Sequence, residues 1–190
     1  NPVTEIIKQR FSCRTYFEKP IAEEKRQRLI DFLSLSGEGP LGSLVRLSLV
    51  AATERDRNSL KGLGTYGVIR GATGFIVGAV GNGERNLEDY GYLMERAVLC
   101  ATDIGLGTCW LGGTFTKSRF AKKIAASDEE QVPAVTAVGY MARSRTDDWI
   151  RERAGAHHRQ PWANLFFREK FGDPLLPDES GAYKEPLEMV

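Results

Sequence analysis

Histidine and cysteine are scarce in this 190-residue chain, which holds two of the first and three of the second. Cys13, Cys100 and Cys109 are an odd, irregularly spaced set, so neither a metal-binding spacing nor a disulfide framework is written in them, and a reducing cytosol is implied. They are expected as buried or half-buried small residues. His157 and His158 are adjacent, and adjacent side chains do not converge on one ion without further ligands. No Cys–His pair suggests a nucleophile. Long apolar runs are missing too. The longest, residues 75–80, is six residues and contains Gly78, against about 20 needed to cross a bilayer as a helix. Charge of one sign is also lacking. Lys and Arg number 26 and Asp and Glu 25, a net charge of +1, so bulk attraction to nucleic acid or an anionic membrane is excluded. No secretory signal pattern is visible, and the expected location is the cytoplasm. The chain opens at Asn1 without a Met, and a few preceding residues are expected.

What is present suits one globular domain: 42% apolar and 27% charged residues, with length enough for a sizeable core. Asn1-Pro2 reads as an N-cap and first helical position, opening a helix that ends near Gln9. Residues 22–36 predict a helix with Leu29, Ile30, Phe32 and Leu33 inward, stopped by Gly37-Glu38-Gly39-Pro40. Residues 46–52 alternate as a strand with one wet face, and residues 73–80 as a strand buried on both faces. Tyr90, Leu93, Met94, Ala97, Val98, Ala101 and Ile104 keep i, i+3, i+4 spacing, so residues 87–104 predict a central helix. A short extended piece at 109–111, a helix at 116–126 and a central strand at 133–141 follow. Residues 143–159 are a basic stretch, and 171–186, rich in Pro, Gly and acidic residues, read as an extended arm. Interleaved strands and helices give an α+β (α/β sandwich) class with a mixed sheet and flanking helices.

Several segments suggest chemistry. Arg10-Phe11-Ser12-Cys13-Arg14 puts two guanidiniums and a hydroxyl within five residues, a set that can grip phosphate oxygens and equally suits a solvated turn. Gly62-Leu63-Gly64-Thr65-Tyr66-Gly67 matches G-x-G-x-x-G. A polar segment precedes it and a strand follows, the reverse of a dinucleotide fingerprint, so it reads as a loop. Gly105-Leu106-Gly107-Thr108-Cys109-Trp110-Leu111-Gly112-Gly113 is more specific. A helix C-cap accounts for Gly105 and suits Gly107. It does not account for Gly112-Gly113, whose backbone can come close to a flat ring. Arg159 is a further candidate phosphate contact. Glu88-Asp89 are assigned to complementing a helix N-terminus, and Asp147-Asp148 to a solvated turn.

Together these segments resemble the flavin-dependent nitroreductase family. The resemblance rests on Arg10-Phe11-Ser12-Cys13-Arg14-Thr15-Tyr16, on the long helix leading into Gly105-Leu106-Gly107-Thr108-Cys109-Trp110, and on residues 133–140 followed by Arg159-Gln160-Pro161. It implies FMN as cofactor, with Arg10, Ser12 and Arg14 on its phosphate and ribityl side. The backbone at Leu111, Gly112 and Gly113 would lie near the ring. His157 and Arg159 would close the phosphate site, His157 standing where the family has Lys. It also implies NAD(P)H as reductant, a nitroaromatic or quinone-like acceptor, a homodimer, and no side-chain acid, base or nucleophile, since the cofactor carries the chemistry. One departure concerns the Ala-Pro-Ser-x-x-Asn-x-Gln-Pro-Trp string that typical members carry after the second helix; residues 35–42 lack it. In a subgroup it stands at the C-terminal end, and Pro186-Leu187-Glu188-Met189-Val190 resembles the start of such a module. The expected organisation is therefore a nitroreductase-like domain at 1–170 and an extended arm at 171–190 leading toward a missing module. The alternatives are a non-catalytic flavin-binding, sensor or partner-binding protein on the same fold, and a phosphate-ligand binder without flavin.

Overall fold

The computed structural model describes residues 1–35, 37–55, 58–142, 145–156 and 158–189, the side chains of 145 and 146 excepted. The chain forms two compact units, Gln9–Arg143, and Asn1–Lys8 with Ser144–Val190. In chain order the helices and strands are α1 (Val3–Gln9), α2 (Glu23–Ser34), β1 (Val45–Ala51), β2 (Gly74–Gly81), α3 (Asn86–Asp103), β3 (Gly107–Leu111), α4 (Lys117–Lys123), β4 (Glu130–Gln131), β5 (Val135–Gly139), α5 (Arg145–Arg153), α6 (Trp162–Leu165) and α7 (Lys184–Glu188).

The larger unit is built on one sheet in the order β1-β2-β5-β3, with β4 beside the far end of β2. The pairings between these strands are antiparallel. Parallel character enters through isolated bridges, Ser12 to Thr108 and Thr15 to Arg70. β2 explains why the core has two sides. Its side chains alternate, sending Ile76 and Val80 into a cluster with Leu29, Tyr90, Leu93, Met94 and Ala97. Phe75, Val77 and Ala79 go into a second cluster with Phe115, Phe120 and Ile124. A strand covered on both faces cannot carry polar residues, and its sequence has none. In the second cluster Phe120 stands edge-on to Phe75 at 5.0 Å and to Phe115 at 5.6 Å. Buried aromatic rings of this kind are worth about 2–3 kcal/mol each in water removed.

Gly78 shows how closely α3 lies on the sheet. A Cβ there would meet Leu47 Cδ2 at 2.5 Å and the Tyr90 ring at 2.8 Å. The Tyr90 hydroxyl donates to the Ala134 carbonyl at 2.5 Å, and burial pushes that phenol's pKa well up. α3 ends where its sequence indicates. Gly105 takes φ +76, its N–H bonds Thr102 O at 2.9 Å, and the Leu106 N–H bonds Ala101 O at 2.9 Å. These two bonds are the Schellman arrangement that absorbs the last carbonyls of a helix.

Two expectations change and one is extended. Asp89 lies in the first turn of α3, as expected, but it is also fully buried and accepts from the Leu41 and Ser43 amides at 2.8 Å each. Burial opposes its ionisation, but those bonds, the Ser43 hydroxyl and Arg85 hold its pKa below the usual carboxylate value. It thus fastens residues 39–43 to the first turn of α3. Asp147 and Asp148 lie in the first turn of helix α5, not in a solvated turn, with Asp147 buried; acidic residues favour that end of a helix. Residues 171–190 are not simply extended. Single-turn helices at Pro177–Glu179 and Gly181–Tyr183 lead into α7. Local hydrogen bonds favour these turns, among them the Leu176 N–H to Glu179 at 3.1 Å and the Ser180 hydroxyl to Pro177 O at 2.6 Å. Elsewhere in this smaller unit the Trp162 indole donates to Leu175 O at 2.5 Å, and Arg168 pairs with Glu179 at 2.7 Å.

Candidate functional site

The segment after α1 crosses one end of the sheet. Its backbone is tied in turn to the start of β3, the loop before β2 and the residue after β5. The Cys13 N–H bonds Thr108 O at 2.8 Å, where β3 begins. Arg14 O accepts from the Arg70 N–H at 2.9 Å, and the Tyr16 N–H donates to Arg70 O at 2.9 Å. Phe17 N–H bonds Tyr140 O at 2.9 Å, just past β5. Cys13 and Tyr16 are buried, and the Tyr16 hydroxyl reaches back to Ala137 O at 3.3 Å. Ser12 and Arg14, the neighbours of inward Cys13, are half-buried. Successive side chains of an extended segment point to opposite sides, so the burial of Cys13 turns the hydroxyl and guanidinium away from the core.

Arg10 is held sideways. Its Nε lies 3.3 Å from Glu95 Oε1 on α3, and the other oxygen of Glu95 accepts from the Trp110 indole N–H at 2.7 Å. Beyond Glu95, Arg10 has no partner among the described residues. Glu95 and Arg70 are residues that sequence reading missed. Arg70 is exposed and is brought beside Arg14 by two backbone bonds. Its nearest sequence signal is a single Arg in a loop before a strand. Glu95 had a better signal, an acidic residue midway along an otherwise apolar helix face, but its partners come from elsewhere in the chain.

Leu111 ends β3, buried and opposite Val135. Gly112 and Gly113 follow it, exposed. Neither has positive φ, and a Cβ added to either would meet no atom within 4 Å. Among the described residues, then, neither a positive φ nor a close neighbour requires glycine at these two positions. Gly107, at the other end of β3, differs: a Cβ there would run into Met141 Cγ and meet Cys13 Cβ at 3.1 Å. From Thr108 to Gly112 the strand covers about 13 Å at the usual rise. The start of this strand is thus tied to a segment that carries Arg10, Ser12 and Arg14, and its end runs into an open glycine backbone. The first can hold an anion, and the second admits a flat group close to its amides.

Of the two remaining candidates, Arg159 belongs to the smaller unit, exposed, its Nη1 donating to Ala156 O at 3.5 Å. His157 lies outside the described residues. Gly62 to Gly67 form the loop that the sequence indicated, with Gly64 O accepting from the Thr116 N–H at 3.0 Å.

A sequence profile of the family described as "Putative TM nitroreductase" matches residues 2–171. The chain belongs to that nitroreductase family. Its activity class is accordingly that of an oxidoreductase. Solved structures show the same fold. A nitroreductase family protein from Clostridium difficile 630 is 18% identical, with a TM-score of 0.63 over 90% of this chain and 99% of that one. A "putative nitroreductase in complex with FMN" from Desulfovibrio desulfuricans is 22% identical, with a TM-score of 0.62 over 90% of this chain and 98% of that one. Nitroreductase A from Vibrio parahaemolyticus is 15% identical, with a TM-score of 0.62 over 99% of this chain and 84% of that one. Identities this low establish the fold: a sheet with flanking helices, as the sequence indicated. No match was found among curated proteins. No helix among the described residues of this nitroreductase-family chain is long and apolar enough to cross a membrane.

Proposed function

We propose that this nitroreductase-family chain binds FMN along β3 and uses NAD(P)H to reduce nitroaromatic or quinone-like acceptors, as a homodimer in the cytoplasm. The observation that carries the reading is Gly112-Gly113. Among the described residues no close neighbour or positive φ calls for glycine there, and it stands one strand away from Arg10, Ser12 and Arg14. A ligand with a flat ring at one end and a phosphate at the other fits that spacing, and the FMN named with the Desulfovibrio neighbour is such a ligand.

In this reading Arg10 and Arg14 supply forked, permanently charged donors to the phosphate, and the Ser12 hydroxyl adds a third. The amides after Leu111 come near the ring, where N–H dipoles favour added negative charge. A bound flavin supplies the two-electron chemistry between nicotinamide and acceptor. The chain's own work is to bind, orient and polarise, which needs no side-chain nucleophile.

The test is a visible spectrum of the purified protein titrated with FMN, followed by NADPH oxidation with a quinone acceptor. Saturable FMN binding with NADPH-dependent bleaching is expected. Absence of flavin binding by a full-length protein overturns the reading. Binding without bleaching would point instead to a non-catalytic flavin protein.

A further inference from the structure

Glu95 is an acidic side chain beside a cluster read here as anion-binding, and that placement needs a reason. An ion pair with Arg10 would by itself be a weak one. The two side chains are 32% and 39% exposed, and pairs of this exposure add little to stability. The carboxylate is not left to wander, however. Its Oε2 is anchored by the Trp110 indole N–H at 2.7 Å, and its Oε1 faces Arg10 Nε at 3.3 Å. Glu95 stands on α3 and Trp110 on β3, so two rigid elements fix a group that meets an arginine on a connecting segment. A guanidinium carries five N–H donors, one of them on Nε. A partner whose nearest approach is to Nε can hold the group while its terminal fork still serves a ligand.

We propose that Glu95, anchored by Trp110, is a positioning residue that presents the Arg10 fork to the ligand's phosphate. The inference rests on the reading above that the Arg10 end takes a phosphate. It makes Glu95 favourable to an anionic ligand even though its own charge opposes one, because a pre-oriented donor loses less freedom on binding than a mobile one. The competing view, that Glu95 simply occupies Arg10, predicts the opposite sign.

The experiment uses the full chain and two probes, FMN and riboflavin, which share a ring system and differ in the phosphate. Affinities are read by flavin fluorescence for wild type, Glu95→Ala, Arg10→Ala and the double variant. For Glu95→Ala, FMN binding should weaken about tenfold, a step of about 1.4 kcal/mol. Riboflavin binding should stay within about twofold, well under one such step. The double variant should bind FMN no worse than Arg10→Ala alone, since the two residues act as one unit. Glu95→Gln, which keeps an acceptor for the indole without the charge, should recover part of the loss. Unchanged or tighter FMN binding by Glu95→Ala, or equal loss of both flavins, overturns the proposal while the phosphate reading stands. If wild type does not prefer FMN to riboflavin, the phosphate reading falls and the proposal with it. Should Glu95→Ala fail to fold, Trp110→Phe removes the anchoring N–H together with part of the ring. It is expected to lower FMN affinity selectively, and an unselective or absent effect overturns the proposal.

Discussion

Two pairs of glycines bracket β3, and they are there for different reasons. Gly105 stands before the strand and Gly107 opens it, while Gly112 and Gly113 follow it. The first pair is fully explained by the chain. Gly105 takes the left-handed φ of a Schellman stop, and Gly107 leaves the space that Met141 and Cys13 occupy. The second pair lacks positive φ, and among the described residues a Cβ at either would meet no atom within 4 Å. Where internal packing explains a glycine, its loss damages the fold. Where it does not, the proposed FMN site supplies a reason, and loss should damage binding.

The sharpest break of this comparison is Gly107→Ala. The new methyl group must displace Met141 and press on Cys13, an overpacking cost of about 1–3 kcal/mol. A urea melt should show it as a lower midpoint with an unchanged slope. The counterpart is Gly112→Ala or Gly113→Ala. Stability should stay within about 0.5 kcal/mol of wild type, while FMN affinity should fall about tenfold, near 1.4 kcal/mol. A folding defect at 112 or 113 would erase the distinction. Between the two ends lies Thr136, opposite Trp110 in the β5 register. Its hydroxyl is buried and has no hydrogen-bond partner among the described residues. Thr136→Val removes that orphan with little change of shape and should raise stability by about 1 kcal/mol, read in the same melts. The Gly107 and Gly112 contrasts should survive in that background.

The smallest effect is a control with acid. Glu130 on β4 pairs with Arg46 of β1 at 2.7 Å. The Arg46 hydrogen bond outweighs partial burial and, with the Ser127 amide, depresses its pKa from 4.5 to about 2. A depressed pKa means the stabilising contribution is present above pH 4.5 and fades as pH falls toward about 2. Melts across that range should lose stability in wild type and less so in Glu130→Gln. The Gly107→Ala and Gly112→Ala proteins should keep the wild-type slope, because neither change touches the pair. A different slope in either would tie that end of β3 to the acid-sensitive part of the sheet.

Much of this was legible beforehand. The periodicity of Tyr90, Leu93, Met94 and Ala97 placed α3 to within one residue at each end. The apolar run at 75–80 gave the strand covered on both faces. Gly105 announced its own stop. The candidate site was legible at its two ends, through Arg10 to Arg14 and Gly112-Gly113, but not between them. Asp89 shows why. Its place in the first turn of α3 suggested a helix-end charge, whereas its carboxylate is buried under amides 46 and 48 residues away. Arg70 likewise came beside Arg14 only through a bridge across the sheet end.

By itself the sequence determined what neighbours in the chain decide: helix and strand periods, caps, turns, and the residue types able to hold a phosphate or admit a ring. Those depend on backbone torsions and on spacing over a few residues. Only the tertiary structure decided that Gly107 has no room for a methyl, that Asp89 is a clasp, and that Glu95 and Trp110 hold Arg10. Each of these depends on which side chains meet across the sheet, and no local pattern encodes that.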